Sequence, residues 1–509
     1  MSSVAFVNGT IRSLSATHEW LVVGGDTIAS MGDGDAPCSD RTVDLQGGVL
    51  IPAFRDAHVH LPATGLYATG MDLRGERCAR AILDAYSERA HGNEMLFGGN
   101  FEDPLDEPLD GRDLDRVVGD APALLVRADM HSVIASTGLL RALNLDDIKG
   151  VDRGSDGAPT GYLREQAASE AYRWFEDNLP RAQQVEAIRA AVSLAYAKGI
   201  AEVHEMFVIE WRGWDSAEIF EEAIQGVALD VAAFLGTTEV ERVVELGSPR
   251  IGGDWFLDGS FGSHTAWMSE PYPGEVPAGS TPVGITYRSD EEVYDFFRRS
   301  QEAGLKVAVH AIGDAAIEQC IKTWERVAAD VGSGAVRSLG HRIEHFECAT
   351  DDHIERSAAL GLRPSVQPAF DHYWGGPDAL YSERLGWDRA RDMNRFGSMH
   401  AAGLVMAAGS DSTVTPMDPF LQMYSLRNHH LQGERLSPQV ALELSTVGPA
   451  RINGHENLKG DLATGSQADL TWLDRDPITC SSEELLSTEV LGTWIAGQRV
   501  WPRSEAEAE

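Results

Sequence analysis

An α/β fold, a (β/α)8 TIM-like barrel with a small composite β-sandwich domain built from both chain ends, is predicted by three features of the 509-residue sequence. From Pro52 onward, apolar strand-like runs alternate with long helical stretches such as Arg181 to Lys198, Asp290 to Ala303 and Ala315 to Val331, the pattern of parallel strands joined by crossover helices. Residues 1–51 are short strand-like runs punctuated by Asn8-Gly9, Gly24-Gly25-Asp26 and Gly47-Gly48. The same texture returns after Ala450, and neither end alone has enough strands to bury a sheet face, so the two are expected to pair.

Eight runs supply the barrel strands: Ala53 to His60, Ile200 to Glu205, Leu229 to Leu235, Trp255 to Asp258, Val307 to Ile312, Arg342 to Phe346, Arg363 to Gln367 and Val405 to Asp411. The barrel then spans 52–454, and the composite domain 1–51 plus 455–503. Residues 62–180 are too long for one crossover and hold a strand of their own, Ala123 to Arg127, so they are expected to form an insertion. The acidic tail 504–509 is expected to fray.

Composition narrows the function. With 42 Lys plus Arg against 79 Asp plus Glu, the net charge of −37 repels phosphate backbones and anionic lipid, which argues against nucleic-acid and membrane partners. Five scattered cysteines with no CxxC pair suggest reduced thiols rather than disulfides. No apolar run approaches a membrane span and no signal-peptide pattern opens the chain, so a cytoplasmic protein acting on a small molecule is expected. Neither a dinucleotide or P-loop fingerprint nor a Gly-x-Ser-x-Gly elbow occurs, leaving no nucleotide cofactor or serine nucleophile.

The chemistry gathers at strand ends. His58-Val59-His60 has the period of two that places both imidazoles on one face of a strand; alone, such a pair is more often a hydrogen-bonded core feature than a metal site. Here His310, His345 and Asp411 also close predicted parallel strands, and barrel active sites sit at that rim. Four imidazoles and a carboxylate suit Zn²⁺ and are acceptable to Mn²⁺, Fe²⁺ or Ni²⁺.

These residues lie in segments that resemble the amidohydrolase superfamily, and within it the YtcJ-like branch: PAFRDAHVH (52–60), GYLRE (161–165), GIAEVHE (199–205), LDGSFGSHTA (257–266), HAIGDAAI (310–317), RIEH (342–345), SVQP (365–368) and GSDSTV (409–414). GDLATGSQADLTWLD (460–474) resembles the family's closing β segment. The resemblance implies His58, His60, His310, His345 and Asp411 as metal ligands, with Asp411 as general acid/base, and His345 or His204 is expected to steady the tetrahedral intermediate. It implies a hydrolase of a non-peptide carbon–nitrogen bond, in an N-acyl or N-formyl amide or a cyclic amide, with metal-bound hydroxide as nucleophile. A homodimer is an expectation of the same kind.

Many relatives carry a lysine four residues before the strand-four Asp-Gly, where its carbamate bridges two metals; here that position is Asp254. Its shorter side chain lacks that reach, so a single zinc per chain is expected. Glu165 and Asp258 are further ligand candidates, against plainer roles in a salt bridge and a tight turn. His204, Glu205, His131 and Trp374 are candidates for substrate contact or for orienting a ligand, against ordinary packing. Two alternatives stay open: a heterocycle deaminase, weakened because no Glu follows His310, and a non-catalytic binding protein on the same barrel.

Overall fold

The computed structural model describes residues 3–92, 94–101, 104–127, 132–145, 148–164, 166–276 and 280–502. Of the sequence-based candidates, His131, Glu165 and the 504–509 tail lie outside them. The chain divides into two compact units, one of residues 1–60, 194–213 and 226–509 and a second of 61–193 and 214–225.

The first unit contains the barrel. Its strands are β1 (Phe54–Val59), β2 (Ile200–Phe207), β3 (Phe234–Leu235), β4 (Arg250–Phe256), β5 (Lys306–Ala311), β6 (Arg342–His345), β7 (Arg363–Val366) and β8 (Ala407–Ala408). All pair in parallel in chain order from β1 to β8. A parallel bridge between Val59 and Ser412 closes the ring, with the His60 amide donating to the Ser412 carbonyl at 3.0 Å and the Asp411 amide to the His58 carbonyl at 2.8 Å. Closure needs Gly409, because a Cβ there would come within 2.6 Å of the His58 nitrogen.

Three predicted strands differ most from those observed, the eighth being only Ala407–Ala408 where Val405 to Asp411 was expected. The third is split into Asp230–Val231 and Phe234–Leu235, both paired with β2. The fourth begins at Arg250, not Trp255, and contains a bulge: Ile251 faces Val307 but Trp255 faces Val309, so two extra residues, Gly252 and Gly253, are spliced into β4. Both glycines have positive φ, 92° and 54°, and a Cβ on Gly252 would lie 2.2 Å from the Ala308 carbonyl oxygen. Bulges of this kind re-aim the residues that follow, and the residue that follows is Asp254.

The chain ends form one sandwich. One sheet runs Gln498–Trp501, Val490–Ile495, Leu470–Leu473, Val49–Pro52, Thr10–Arg12, Thr17–His18, with its N- and C-terminal halves joined by antiparallel pairing of Leu470–Leu473 with Val49–Pro52. The other runs Thr27–Gly32, Trp20–Gly24, Ser3–Val7, Arg41–Asp44. Phe6, Leu21, Val23 and Ile28 of the second sheet share a core with Leu50, Leu470 and Trp494 of the first.

The second unit has a six-stranded sheet in the order Val151–Arg153, Pro159–Arg164, Ser132–Ala135, Ala123–Arg127, Leu96–Phe101, Met71–Asp72. Sequence pattern showed one of these strands. This unit extends to residue 193, past the expected limit of 180, and takes most of the helix Arg181–Ala197 that the pattern assigned to the barrel.

Candidate metal centre

The donor residues stand at the C-terminal ends of the barrel strands and just beyond them. His58 is the penultimate residue of β1 with His60 just beyond it, His310 is in β5, His345 closes β6 and Asp411 follows β8. His345 and Asp411 both adopt left-handed backbone, φ 71° and 51°, which takes them out of strand alternation at a strand end. Such conformations cost free energy in non-glycine residues and persist where the surrounding structure holds them.

Each of the four imidazoles has one nitrogen committed to an acceptor. His58 Nδ1–H donates to Glu344 at 2.9 Å, His60 Nδ1–H to the Met206 carbonyl at 3.0 Å, His345 Nδ1–H to Gln367 Oε1 at 2.7 Å, and His310 Nε2–H to the Gly259 carbonyl at 3.1 Å. In the neutral form that a metal ligand requires, an imidazole has one N–H, so the opposite nitrogen of each ring is the one that would offer a lone pair. All four lone-pair nitrogens face two carboxylates. Asp254 Oδ1 lies 3.4 Å from His310 Nδ1 and 3.5 Å from His345 Nε2, and its Oδ2 lies 3.5 Å from His60 Nε2. Asp411 Oδ1 lies 3.5 Å from His58 Nε2 and 3.2 Å from His60 Nε2.

Asp254, whose side chain lacks the reach of a bridging lysine carbamate, nevertheless faces three of the imidazoles. The Gly252-Gly253 bulge brings its backbone close enough for the carboxylate to sit among three imidazoles. Two donor groups result, His58 with His60 and Asp411, and His58 with Asp254 and His345; within each the donor atoms lie within 4.8 Å of one another.

The electrostatics suit a cation. His58 Nε2, His310 Nδ1, His345 Nε2, Asp254 Oδ1 and Asp411 Oδ1 are buried without a hydrogen-bond partner, a costly state for so many polar atoms in one place. Burial opposes charge on His345, but facing Asp254 and Asp411 outweighs it and pushes the imidazole up to about 9; His60 is raised well above its ordinary value for the same reason. Burial likewise opposes charge on the two carboxylates, yet the imidazoles hold both below the usual range. Protons on the rings supply the countercharge that a divalent ion would otherwise provide.

Behind the donors lies a buried ionic chain absent from the sequence-based expectations. Arg342 donates to both oxygens of Glu344, at 2.8 and 2.7 Å, and to His204 Nδ1 at 2.7 Å. His204 Nε2–H donates to Glu202 at 3.1 Å; Glu202 also accepts from Arg55 Nε at 3.1 Å, and Arg55 NH2 donates to Asp469 at 2.7 Å. Glu344 thus connects His58, through five residues, to the closing β segment. The outward signals of this chain were polar letters in otherwise apolar strands: Arg55 in PAFRDAHVH, Arg342 and Glu344 in RIEH, and Glu202 before His204.

His204 is accordingly not at the substrate face. It is wholly buried, its ring clamped between Glu202 and Arg342. Burial, helped by the Arg342 charge and opposed by Glu202, pushes it down to about 4 from 6.5. Since folding depresses this pKa, its stabilising contribution is complete above pH 6.5 and is lost as the pH falls towards 4, because the unfolded chain takes up the proton first. The stability advantage of wild type over His204→Gln is expected to shrink by roughly 3 kcal/mol between pH 7 and pH 4, as read from denaturant midpoints at each pH. A constant difference would show that His204 is not held neutral.

Asp258 anchors loops. Fully buried, it accepts the amides of Trp267 (2.8 Å), Ile312 (3.0 Å) and Gly313 (2.8 Å), and burial pushes it up to about 6 despite them. Glu205 is buried on β2. Trp374 packs on Phe370, ring centroids 4.7 Å apart, and Phe370 lies parallel to the His345 ring at 6.1 Å, so Trp374 is two rings removed from the centre.

A family model described as the amidohydrolase family matches residues 41–501. The chain belongs to the amidohydrolase family. It is 29% identical over 500 residues to YtcJ of Bacillus subtilis, covering 91% of this chain and 90% of that protein. It is 24% identical over 548 residues to the N-substituted formamide deformylase of Arthrobacter pascens, covering 98% of each. Among solved structures, an uncharacterized metal-dependent hydrolase from Pyrococcus furiosus superposes with a TM-score of 0.77 at 28% identity, covering 94% of this chain and 100% of that one. This amidohydrolase is a hydrolase of carbon–nitrogen bonds, and its donor set suits a divalent metal. Among its described residues no helix is long and apolar enough to cross a membrane.

Proposed function

We propose that this amidohydrolase cleaves an N-acyl or N-formyl amide, or a cyclic amide, of a small molecule. The observation that carries the reading is the convergence of four imidazole lone pairs and two carboxylates on one buried space. The deformylase activity in the name of a relative matched over nearly its whole length supports an N-substituted formamide as the first substrate class to test.

When bound, a zinc-class ion would polarise the scissile carbonyl and bring water towards ionisation near neutral pH. The protein's own residues do the rest. Glu344, the Met206 carbonyl, Gln367 and the Gly259 carbonyl fix the tautomers of the four rings. Asp411, held ionised by its imidazoles, takes the proton from water and delivers it to the departing nitrogen. We place His345 with the donors: its Nδ1–H is spent on Gln367, and with Nε2 given to an ion it would have no second N–H to steady an oxyanion.

Deamination has less support, since Asp314, the acid nearest after His310, is turned to the Ser269 amide at 2.8 Å. Asp254 faces His60 through one oxygen and His310 and His345 through the other, and this placement of a carboxylate among three imidazoles supports a two-ion reading over the single zinc expected from the sequence. Elemental analysis of chelator-free protein should give about two divalent ions per chain, falling to one or fewer in Asp254→Ala. One in both proteins would restore the single-ion reading. None after supplementation, with no amine released from an N-formyl and N-acyl amine panel, would overturn the proposed function.

A further inference from the structure

A cavity of about 520 Å³ opens directly onto the donor set, with Asp254 and His310 in its wall. Its size lies in the range of small-molecule sites. From His310 outward its lining is a run of rings: Phe256 lies 4.3 Å from His310, and Trp211 stacks on Phe256 at 4.9 Å with an interplanar angle of 18°. Trp211 is 58% exposed and Tyr287, also in the lining, 49%. Large aromatic side chains left this open, and continuous with a buried polar centre, are available to a ligand.

Away from the donor set, the cavity's charged pair is already matched. Glu210 accepts from Arg288 NH2 at 2.6 Å through one oxygen and from Trp255 Nε1–H at 3.0 Å through the other, while the Arg288 guanidinium lies 4.6 Å above the Trp255 ring. Among the described residues, Arg288 is the only lysine or arginine in the lining. A substrate carboxylate here would have to compete with Glu210 for it, and would enter against the field of a chain carrying −37.

We infer that this cavity selects substrates bearing an uncharged aromatic group, with Trp211 and Tyr287 as specificity-determining residues. The inference rests on the amide-hydrolase reading for the scissile bond, but the pocket's preference can be measured without turnover. Stacking on an aromatic wall adds to area burial and discriminates by shape.

Three probes separate the possibilities: N-(2-naphthyl)acetamide, its 6-carboxy analogue, and N-methylacetamide. Binding to metal-loaded protein is followed by calorimetry, and hydrolysis by amine release. The uncharged naphthyl amide is expected to bind at least tenfold more tightly than either comparison compound. Trp211→Ala and Tyr287→Ala should each reduce that preference several-fold, while Trp211→Phe and Tyr287→Phe, which keep a ring, should retain most of it. Equal binding of the carboxylate and its parent, or a preference untouched by both alanine variants, overturns the inference even if all three amides are hydrolysed. Selective naphthyl binding with no hydrolysis of any amide supports the pocket's selectivity and counts against the proposed reaction.

Discussion

Asp411→Asn is expected to lower kcat about a thousandfold while the protein stays folded and keeps most of its metal. General acid–base groups contribute roughly 10² to 10⁴ in rate, and Asp411 is the carboxylate best placed for that role: buried beyond β8, held ionised by His58 and His60, with one oxygen lacking a hydrogen-bond partner. Asparagine preserves shape and an oxygen donor but cannot accept the proton. The measurements are kcat on an N-formyl amine together with metal content of the same preparation. If metal is lost in proportion to activity, Asp411 acts chiefly as a ligand. If activity persists with full metal, another base serves and the assignment of proton transfer fails.

The second large effect is on stability. Arg342→Ala is expected to cost about 3–5 kcal/mol, the range for stranding a buried charge by removing its partner. Arg342 is fully buried, and its guanidinium pairs with Glu344, donates to His204 and donates to the Ala57 carbonyl at 2.7 Å. The double replacement Arg342→Met with Glu344→Leu removes cation and anion together, so most of that stability should return. Metal affinity should not return, because His58 Nδ1–H then has no carboxylate to hold its ring. Denaturant midpoints and cobalt titration read the two separately. Full recovery of both would show that Glu344 does not position His58.

Those two residues also illustrate what can be read from the sequence and what cannot. His58, His60, His310, His345 and Asp411 were legible because each closes a strand-like apolar run, and the barrel brings strand ends together whatever the loops do. Asp254 was legible as a departure from relatives but not as a participant, because its placement depends on a two-residue bulge visible only in the β4–β5 register. Glu344, Arg342 and Gln367 sat inside recognisable motifs, but a polar residue on a strand does not announce which partner it meets across a barrel. The sheet of the second unit was largely missed. Its strands are short and of mixed polarity, and pair across segments with no strict alternation.

The pairing of Val49–Pro52 with Leu470–Leu473 has a consequence for the birth of the protein. Residues 52 and 470 lie side by side in one sheet, so Val49–Pro52, which has Thr10–Arg12 on its other side, acquires its second neighbour only when Leu470–Leu473 has been made. At roughly 5–20 residues per second, that delay is on the order of 20 to 80 seconds. Throughout it, the apolar stretch Val-Leu-Ile-Pro, entirely buried in the finished fold, has an open edge. Contacts this distant in sequence are also the slowest to form. Slower expression at low temperature, or co-expressed chaperones, should therefore raise the soluble yield more than any change at the surface of the barrel. The metal centre shares the schedule: His58 is made well before Asp411, so a nascent chain cannot assemble a complete donor set until Asp411 has been added.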